Sequence, residues 1–128
     1  MSEASSATIW LNRAKSDLRV AKRCVTEFQP KEIHVAASLS QQAAEKALKA
    51  FILSRDAIPP KIHDLTVLCG ICATYDTLFQ DLSEACGMLT PFAVGARYPD
   101  EIEITDSQAE FAIEKADMIH GFCSERIL

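Results

Sequence analysis

Hydrophobic and polar positions separate most clearly between residues 33 and 51. At about 100° per residue, small and apolar residues fall on one arc of a helix and polar residues on the opposite arc. The apolar arc comprises Ile33, Ala36, Ala37, Ser40, Ala43, Ala44, Ala47, Leu48, Ala50 and Phe51, and the polar arc comprises Gln41, Gln42, Glu45, Lys46 and Lys49. Because small residues let another helix approach closely, the pattern predicts a central bundle helix over Lys31–Ser54.

A first helix is predicted before the central one, and a short third helix after it. The first spans about Thr8–Phe28, because Pro30 cannot continue it. Asp64 is a suitable N-cap for the third helix, which reaches about Ala73. Residues 1–7 are polar or small, and we expect them to form a disordered tail.

Two capping-box sequences predict the start of a fourth and a last helix. The first box is Thr77–Gln80, and the fourth helix is expected to bury Leu78, Leu82, Ala85, Cys86, Leu89 and Ala93. The second box, Thr105–Gln108, opens a last helix that reaches about Arg126. No segment alternates convincingly with the period of a strand. The sequence thus predicts an all-α fold, an antiparallel up-and-down bundle of four main helices plus a short one, in a single domain over residues 8–128.

Charge and composition restrict the class of function. The chain has 128 residues, five cysteines and a net charge of −5. General nucleic-acid binding is disfavoured, because phosphate binding needs a basic footprint, although a local basic pocket remains open. No apolar run approaches the roughly 18 residues that span a bilayer, and the N-terminus lacks the apolar region of a signal peptide. We expect a cytoplasmic protein with reduced thiols.

The pair Cys69 and Cys72 forms a C-x-x-C motif. A redox role would require a βαβ context, and a zinc site would require a second pair of ligands. Both sulfurs lie on the apolar arc of the short helix, which favours a place in the core. His120 lies on the apolar arc of the last helix and is interpreted in the same way. No metal or cofactor is predicted.

Six polar residues are candidates for a binding site, and four of them, outside the central helix, each have a structural alternative. Asp17 lies at the edge of the apolar arc of the first helix, where a carboxylate needs a partner; it either pairs with Lys46 or Arg97 or lines the mouth of a pocket. His63 precedes the third helix, as a turn residue or a ligand contact. Arg97 could grip a phosphate or carboxylate and Tyr98 could stack on a base, or both could anchor their loop.

Lys46 and Lys49 on the central helix could bind a ligand or form a solvated face. Glu45 and Lys49 form a favourable i,i+4 pair. The neighbouring amide of Gln42 belongs to the same polar arc and joins the candidate site.

Several of these segments resemble one family. Ser40–Ala50 resembles the signature helix of HEPN (higher eukaryotes and prokaryotes nucleotide-binding) domains, and Pro60–Leu65 resembles the turn before the family's third helix. Arg97–Asp100 resembles a further family segment. The first helix matches at Trp10, Ala14, Asp17, Leu18 and Ala21. The resemblance covers residues 8–127 and is to the small stand-alone prokaryotic type.

The resemblance implies an all-α bundle, commonly a homodimer, that frequently pairs with a small nucleotidyltransferase. Some such pairs behave as toxin–antitoxin modules. Many other HEPN domains are metal-independent ribonucleases with an Arg, four to six intervening residues and then a His, near the start of the last helix. The corresponding window after Arg97 contains no His, and RNA cleavage needs a group that titrates near neutrality.

The leading hypothesis is therefore a non-catalytic HEPN module that dimerises and binds a nucleotide, a nucleotidyltransferase or both, through Asp17, Gln42, Lys46, His63, Arg97 and Tyr98. The alternative is a divergent ribonuclease that uses Arg97 with a His from elsewhere, such as His63 or His120. A third possibility is a plain dimeric assembly protein. Met88 and Phe92 lie off the main apolar arc of the fourth helix and are the predicted dimer interface.

Overall fold

The fold consists of α-helices packed as a bundle. The computed structural model describes residues 3–92 and 103–127, with side chains from residue 6. The helices are α1 (Glu3–Thr26), α2 (Ile33–Ser54), α3 (Leu65–Ala73), α4 (Ser83–Leu89) and α5 (Asp106–Arg126), and two 3₁₀ helices, Thr77–Leu82 and Thr90–Phe92, flank α4. Within these ranges there is no strand, which confirms the predicted all-α bundle. Over the same ranges, every helix is too short or too polar to cross a lipid bilayer.

The central helix of the bundle is α2, as predicted. It packs mainly against α1 and α5 and also contacts α3. Its small side chains, among them Ala43, Ala44 and Ala47, are fully buried. An alanine face brings neighbouring helix axes close together, because little side-chain volume separates them. The pattern of small residues thus explains why two long helices pack against one.

Three aromatic rings join α2, the first 3₁₀ helix and α5 in the core. The Phe79 ring centroid lies 4.4 Å from that of Phe51 and 4.9 Å from that of Phe122. The guanidinium of Arg126 lies 3.5 Å from the Phe122 centroid and donates to Asp76 Oδ2 over 3.0 Å. These contacts fix the end of α5 against the chain that follows α3.

The C-x-x-C pair lies in the core, which confirms its interpretation. Cys69 Sγ donates to the Phe79 carbonyl over 3.1 Å, and Cys72 Sγ to the Leu48 carbonyl over 3.6 Å. Burial raises the pKa of Cys72 to about 12. That thiol therefore stays protonated at neutral pH and is a poor nucleophile. All five cysteines of the chain are buried and free.

The predicted start of the fourth helix is wrong. The cap is Asp76, whose carboxylate accepts from Leu78 N over 3.0 Å, and the chain from Thr77 forms a 3₁₀ helix before α4 begins at Ser83. Leu78, expected in the core, is 53% exposed, and Phe79 takes the buried position. A 3₁₀ helix has three residues per turn, so the α-helical spacing assigned the wrong face. Ala93 lies outside the described residues.

The other helix ends differ less from the predictions. Helix α1 begins at Glu3 rather than Thr8, so the predicted tail over residues 1–7 is too long. Ala7 is fully buried, and its packing explains the earlier start. The capping box of α5 is confirmed, because Thr105 Oγ1 accepts from Gln108 N over 3.1 Å and Gln108 Oε1 accepts from Thr105 N over 2.9 Å.

Candidate functional site

The polar residues of α2 gather with one residue of α1 and one that precedes α3. We call this set the α2 polar cluster: Asp17, Gln41, Gln42, Glu45, Lys46, Lys49 and His63. It is not the solvated face that the sequence left open for the two lysines. Gln41 and Lys49 are only 1% and 7% exposed. Because α2 is the central helix, even its polar arc is covered by neighbouring segments.

Glu45 is the hub of the cluster. Its carboxylate accepts from Lys49 Nζ over 3.0 Å and from Gln41 Nε2 over 3.2 Å, and it lies 3.0 Å from His63 Nδ1. The Gln41 amide also donates to the His63 carbonyl over 3.2 Å. One buried glutamine and one carboxylate therefore fix both the backbone and the ring of His63.

The ionisation of Glu45 follows from these contacts. Burial by itself would raise the pKa of Glu45, but the hydrogen bonds from Lys49, His63 and Gln41 outweigh it and hold the pKa below the ordinary value of 4.5. The side chain, only 12% exposed, is thus a carboxylate at neutral pH. Since a carboxylate can only accept, Nδ1 of His63 donates to it. The His63 side chain is 69% exposed, and within residues 6–92 and 103–127 its other nitrogen makes no hydrogen bond, so it can meet a ligand.

The chain before α3 is held by its own cap. The Asp64 carboxylate accepts from the backbone nitrogens of Thr66 over 2.9 Å and Val67 over 3.4 Å, and from Thr66 Oγ1 over 2.6 Å. The side-chain hydrogen bond from Thr66 is the main cause of a lowered Asp64 pKa. This confirms the predicted N-cap. It also places His63 at a fixed entry into α3, next to α2.

Asp17 and Lys46 form an ion pair between α1 and α2. Lys46 Nζ lies 2.6 Å from Asp17 Oδ2, and both side chains are half-buried. This matches the structural alternative that the sequence left open for Asp17. The charge of Lys46 is therefore already compensated, and an incoming phosphate would compete with Asp17 for it.

A small cavity opens on the cluster. Its volume is about 210 Å³, and it is lined by Trp10, Gln41, Gln42, Glu45, Lys46 and His63. Three of the predicted site residues, Gln42, Lys46 and His63, thus meet in one place. The volume lies below the roughly 300–1,000 Å³ of a typical drug-sized site. It suits a single ring system or one side chain of a partner.

The remaining predicted site residues do not join this cavity. Arg97 and Tyr98 lie outside the described residues. Met88 and Phe92 line a separate, apolar cavity of about 500 Å³ between α4 and α5, together with Phe111. His120 is half-buried, and its Nε2 lies 3.3 Å from the Leu11 carbonyl oxygen, so that it is satisfied by backbone.

Comparisons with known proteins identify the family of this helical bundle. The HEPN domain model matches residues 7–127, and the chain belongs to the HEPN domain family. The crystal structure of TT1696 from Thermus thermophilus superposes with a TM-score of 0.81 at 29% identity, over 94% of this chain and 97% of that one. ST0689, an archaeal HEPN homologue, shares the fold, with a TM-score of 0.76 at 23% identity over 95% and 98% of the two chains. No curated protein matches the chain.

Proposed function

We propose that this chain is a non-catalytic HEPN module that forms a homodimer and binds a nucleotide, a small nucleotidyltransferase or both, in the manner of a toxin–antitoxin pair. The observation that carries the proposal is the cavity of the α2 polar cluster. Trp10 offers an aromatic ring for stacking, and Gln42 and His63 offer hydrogen-bonding groups beside it. One aromatic face with a few convergent polar groups is the ordinary make-up of a recognition site for a base or a side chain.

The non-catalytic part of the proposal rests on the sequence after Arg97. Residues 102–104, in the window where ribonucleases of this family carry a His, are Ile, Glu and Ile. Histidine is the residue type whose unperturbed pKa lies near neutrality, and this window contains none. A segment without this histidine supports a module that binds a ligand and does not cleave it.

A nucleotide titration tests the first half of the proposal. Trp10 is the sole tryptophan and lines the cavity, so its fluorescence reports on occupancy. We expect a saturable change with ATP or GTP and a rise in the melting temperature. At ligand concentrations near 100 times Kd, binding adds about 2.7 kcal/mol to the free energy of unfolding.

A pair of glutamine variants controls that titration. Gln42→Ala should weaken binding, whereas Gln80→Ala, which changes an exposed glutamine outside the cavity, should not. A fluorescence trace that stays flat at millimolar nucleotide would remove the nucleotide half and leave only the protein partner.

The partner half is tested first by reading the neighbouring genes for a small nucleotidyltransferase and then by mixing such a protein with this chain. We expect the two purified proteins to elute together in size-exclusion chromatography, and His63→Ala to reduce the co-elution more than His34→Ala, which changes an exposed histidine of α2. If neither nucleotide nor nucleotidyltransferase binds, the proposed function is wrong.

One observation favours a second candidate, a divergent ribonuclease. The Glu45 carboxylate holds Nδ1 of the exposed His63 at 3.0 Å, as a buried carboxylate orients the imidazole of a general base. The enzyme would use Arg97 with His63, because His120 already contacts a backbone carbonyl. Cleavage of total RNA that disappears in both Arg97→Ala and His63→Ala, but persists in His34→Ala, would establish this activity. Cleavage that survives Arg97→Ala would point to contamination or another site.

A further inference from the structure

A cationic groove lies between α1 and α5. Its volume is about 380 Å³, and it is lined by Lys15, Leu18, Arg19, Lys22, Arg23, Asp117 and His120. On α1, the residues that line the groove and those that face the α2 polar cluster occupy opposite edges of the buried face. At about 100° per residue, Lys15, Arg19 and Lys22 lie on one edge, and Trp10 and Asp17 on the other. The groove and the cavity of the α2 polar cluster have no lining residue in common.

The charge of this groove contrasts with that of the chain. The protein carries 13 basic and 18 acidic residues, yet four of the basic residues line this one groove with a single carboxylate. A solvated helix face commonly carries some charge of both signs. Here the positive charges are concentrated in a concave surface between two helices, and an acidic chain gains no solubility from such a concentration.

Two of the four cations are uncompensated. Lys22 Nζ lies 3.1 Å from Asp117 Oδ2, and Arg23 Nε lies 2.6 Å from Glu27 Oε2. Lys15 and Arg19, by contrast, make no ion pair with any residue in the described ranges. Beneath them, Leu18 is almost fully buried. An apolar floor lowers the local dielectric and strengthens the attraction of the groove for an anion.

We propose that this groove binds a compact polyphosphate group. Guanidinium and ammonium groups are the usual protein ligands of phosphate. The volume falls within the roughly 300–1,000 Å³ of small-molecule sites. The inference stands apart from the proposed function, since it concerns a different surface.

The charge of the rest of the molecule favours a compact anion over a long one. A strand of RNA would extend past the groove by more than the Debye length of about 8 Å and would meet the acidic remainder of the surface. A triphosphate contacts only the cations. We therefore assign the groove to a short, multiply charged ligand.

Isothermal titration with sodium tripolyphosphate, ATP and adenosine tests the proposal. We expect tripolyphosphate and ATP to bind in the groove. Adenosine, which has no phosphate, should contact only the α2 cavity and give a heat that Arg19→Gln leaves unchanged. Arg19→Gln and Lys15→Gln should each weaken binding about tenfold, the usual contribution of a hydrogen bond to a charged group. Asp117→Asn should strengthen binding by about twofold or more, because it frees Lys22 from its competing carboxylate.

The matched control is Arg13→Gln. Arg13 is an exposed cation of α1 that does not line the groove, so its loss changes the net charge equally but should leave the affinity within about twofold. All of these positions are on the surface, and circular dichroism confirms folding before titration.

Four results would overturn the proposal. They are no heat at millimolar tripolyphosphate, equal weakening by Arg13→Gln and Arg19→Gln, tripolyphosphate binding that depends on Gln42 but not on Arg19, and tighter binding of a single-stranded RNA than of tripolyphosphate through Lys15 and Arg19. The third result would place the polyphosphate in the α2 cavity and leave the proposed function intact. The fourth would make the groove a nucleic-acid surface.

Discussion

A single carboxylate organises the candidate site at the scale of residues. Glu45 accepts from a lysine one turn later, from a glutamine one turn earlier and from a histidine that precedes α3. Lys49, almost fully buried, has its ammonium next to this carboxylate. A buried cation that loses its counter-charge is far more costly than an exposed one. Glu45 therefore supports both the stability of α2 and the position of His63.

We predict that Glu45→Gln lowers the free energy of unfolding by about 2–3 kcal/mol, because it leaves the Lys49 ammonium without its counter-charge and weakens the contact to His63. Urea unfolding followed by circular dichroism measures the change. Glu114→Gln, at an exposed position of α5, is the matched control and should change stability by no more than about 0.5 kcal/mol. Equal changes in the free energy of unfolding for the two substitutions would show that the contacts of Glu45 do not stabilise the fold.

The pH dependence of stability gives a second test of Glu45. Its pKa in the folded state lies below the ordinary value of 4.5, so between these values the unfolded state binds more protons than the folded state. The stabilisation is fully present above pH 4.5 and is lost as the pH falls through the folded pKa. We predict that the difference in stability between wild type and Glu45→Gln is largest near neutral pH and shrinks below pH 4.5. A constant difference down to about pH 3 would contradict the role of the charge.

Sequence spacing could reveal only part of this site. The i,i+4 pattern identifies the pair of Glu45 and Lys49, because one helix determines their separation. The contact with His63 joins residues 18 positions apart and depends on how the turn before α3 packs on α2. The burial of Gln41 has the same tertiary origin. For this reason the polar arc looked like an exposed face, although its residues were correctly recognised as a group.

At the scale of elements, the segment between α3 and α4 shows where helical spacing fails. The helix with the clearest period, α2, and the two with a side-chain cap, α3 and α5, begin within two residues of their predicted starts. Between them, Asp76 starts a 3₁₀ helix whose three-residue period exposes Leu78 and buries Phe79. A six-residue segment is too short for either period to be distinguished in sequence.

This register predicts a large loss of stability at one residue and almost none at its neighbour. Phe79→Ala should lower the free energy of unfolding by about 3–4 kcal/mol, because it removes the ring that contacts both Phe51 and Phe122. Leu78→Ala, at an exposed position, should change it by about 0.5 kcal/mol or less. Urea unfolding of both variants measures the difference. A larger effect at Leu78 would favour the α-helical register that the capping box suggested.

At the scale of the whole molecule, helices distant in sequence form three separate surfaces among the residues that the structure describes. The α2 cavity lies beside α1 and the chain before α3, the cationic groove lies between α1 and α5, and the apolar cavity lies between α4 and α5. Sequence analysis placed the candidates of the first and last surfaces, but it missed the groove. Lys22 and Asp117, which meet there, are 95 residues apart, and no local period links them.

The apolar cavity is the surface that we propose for dimerisation. Met88 is 40% exposed and lines the cavity with Phe92 and Phe111. An exposed apolar patch of this kind is costly in water, and a second copy that presents the same patch across a two-fold axis would cover both at once. An isologous contact needs no additional partner, and it leaves the α2 cavity of each protomer open for a ligand.

We predict that Met88→Glu converts a dimer into a monomer, because two carboxylates would face each other across the two-fold axis in an apolar contact. Size-exclusion chromatography with light scattering measures the mass, for which the monomer value is 14.1 kDa. Met118→Glu, which changes an exposed methionine of α5 that does not line the cavity, should remain dimeric.

A dimer that survives Met88→Glu would show that the interface lies elsewhere. A wild-type protein that is monomeric at all concentrations would contradict dimerisation itself. If Met88→Glu is monomeric and still binds nucleotide, recognition belongs to the single protomer rather than to the assembly.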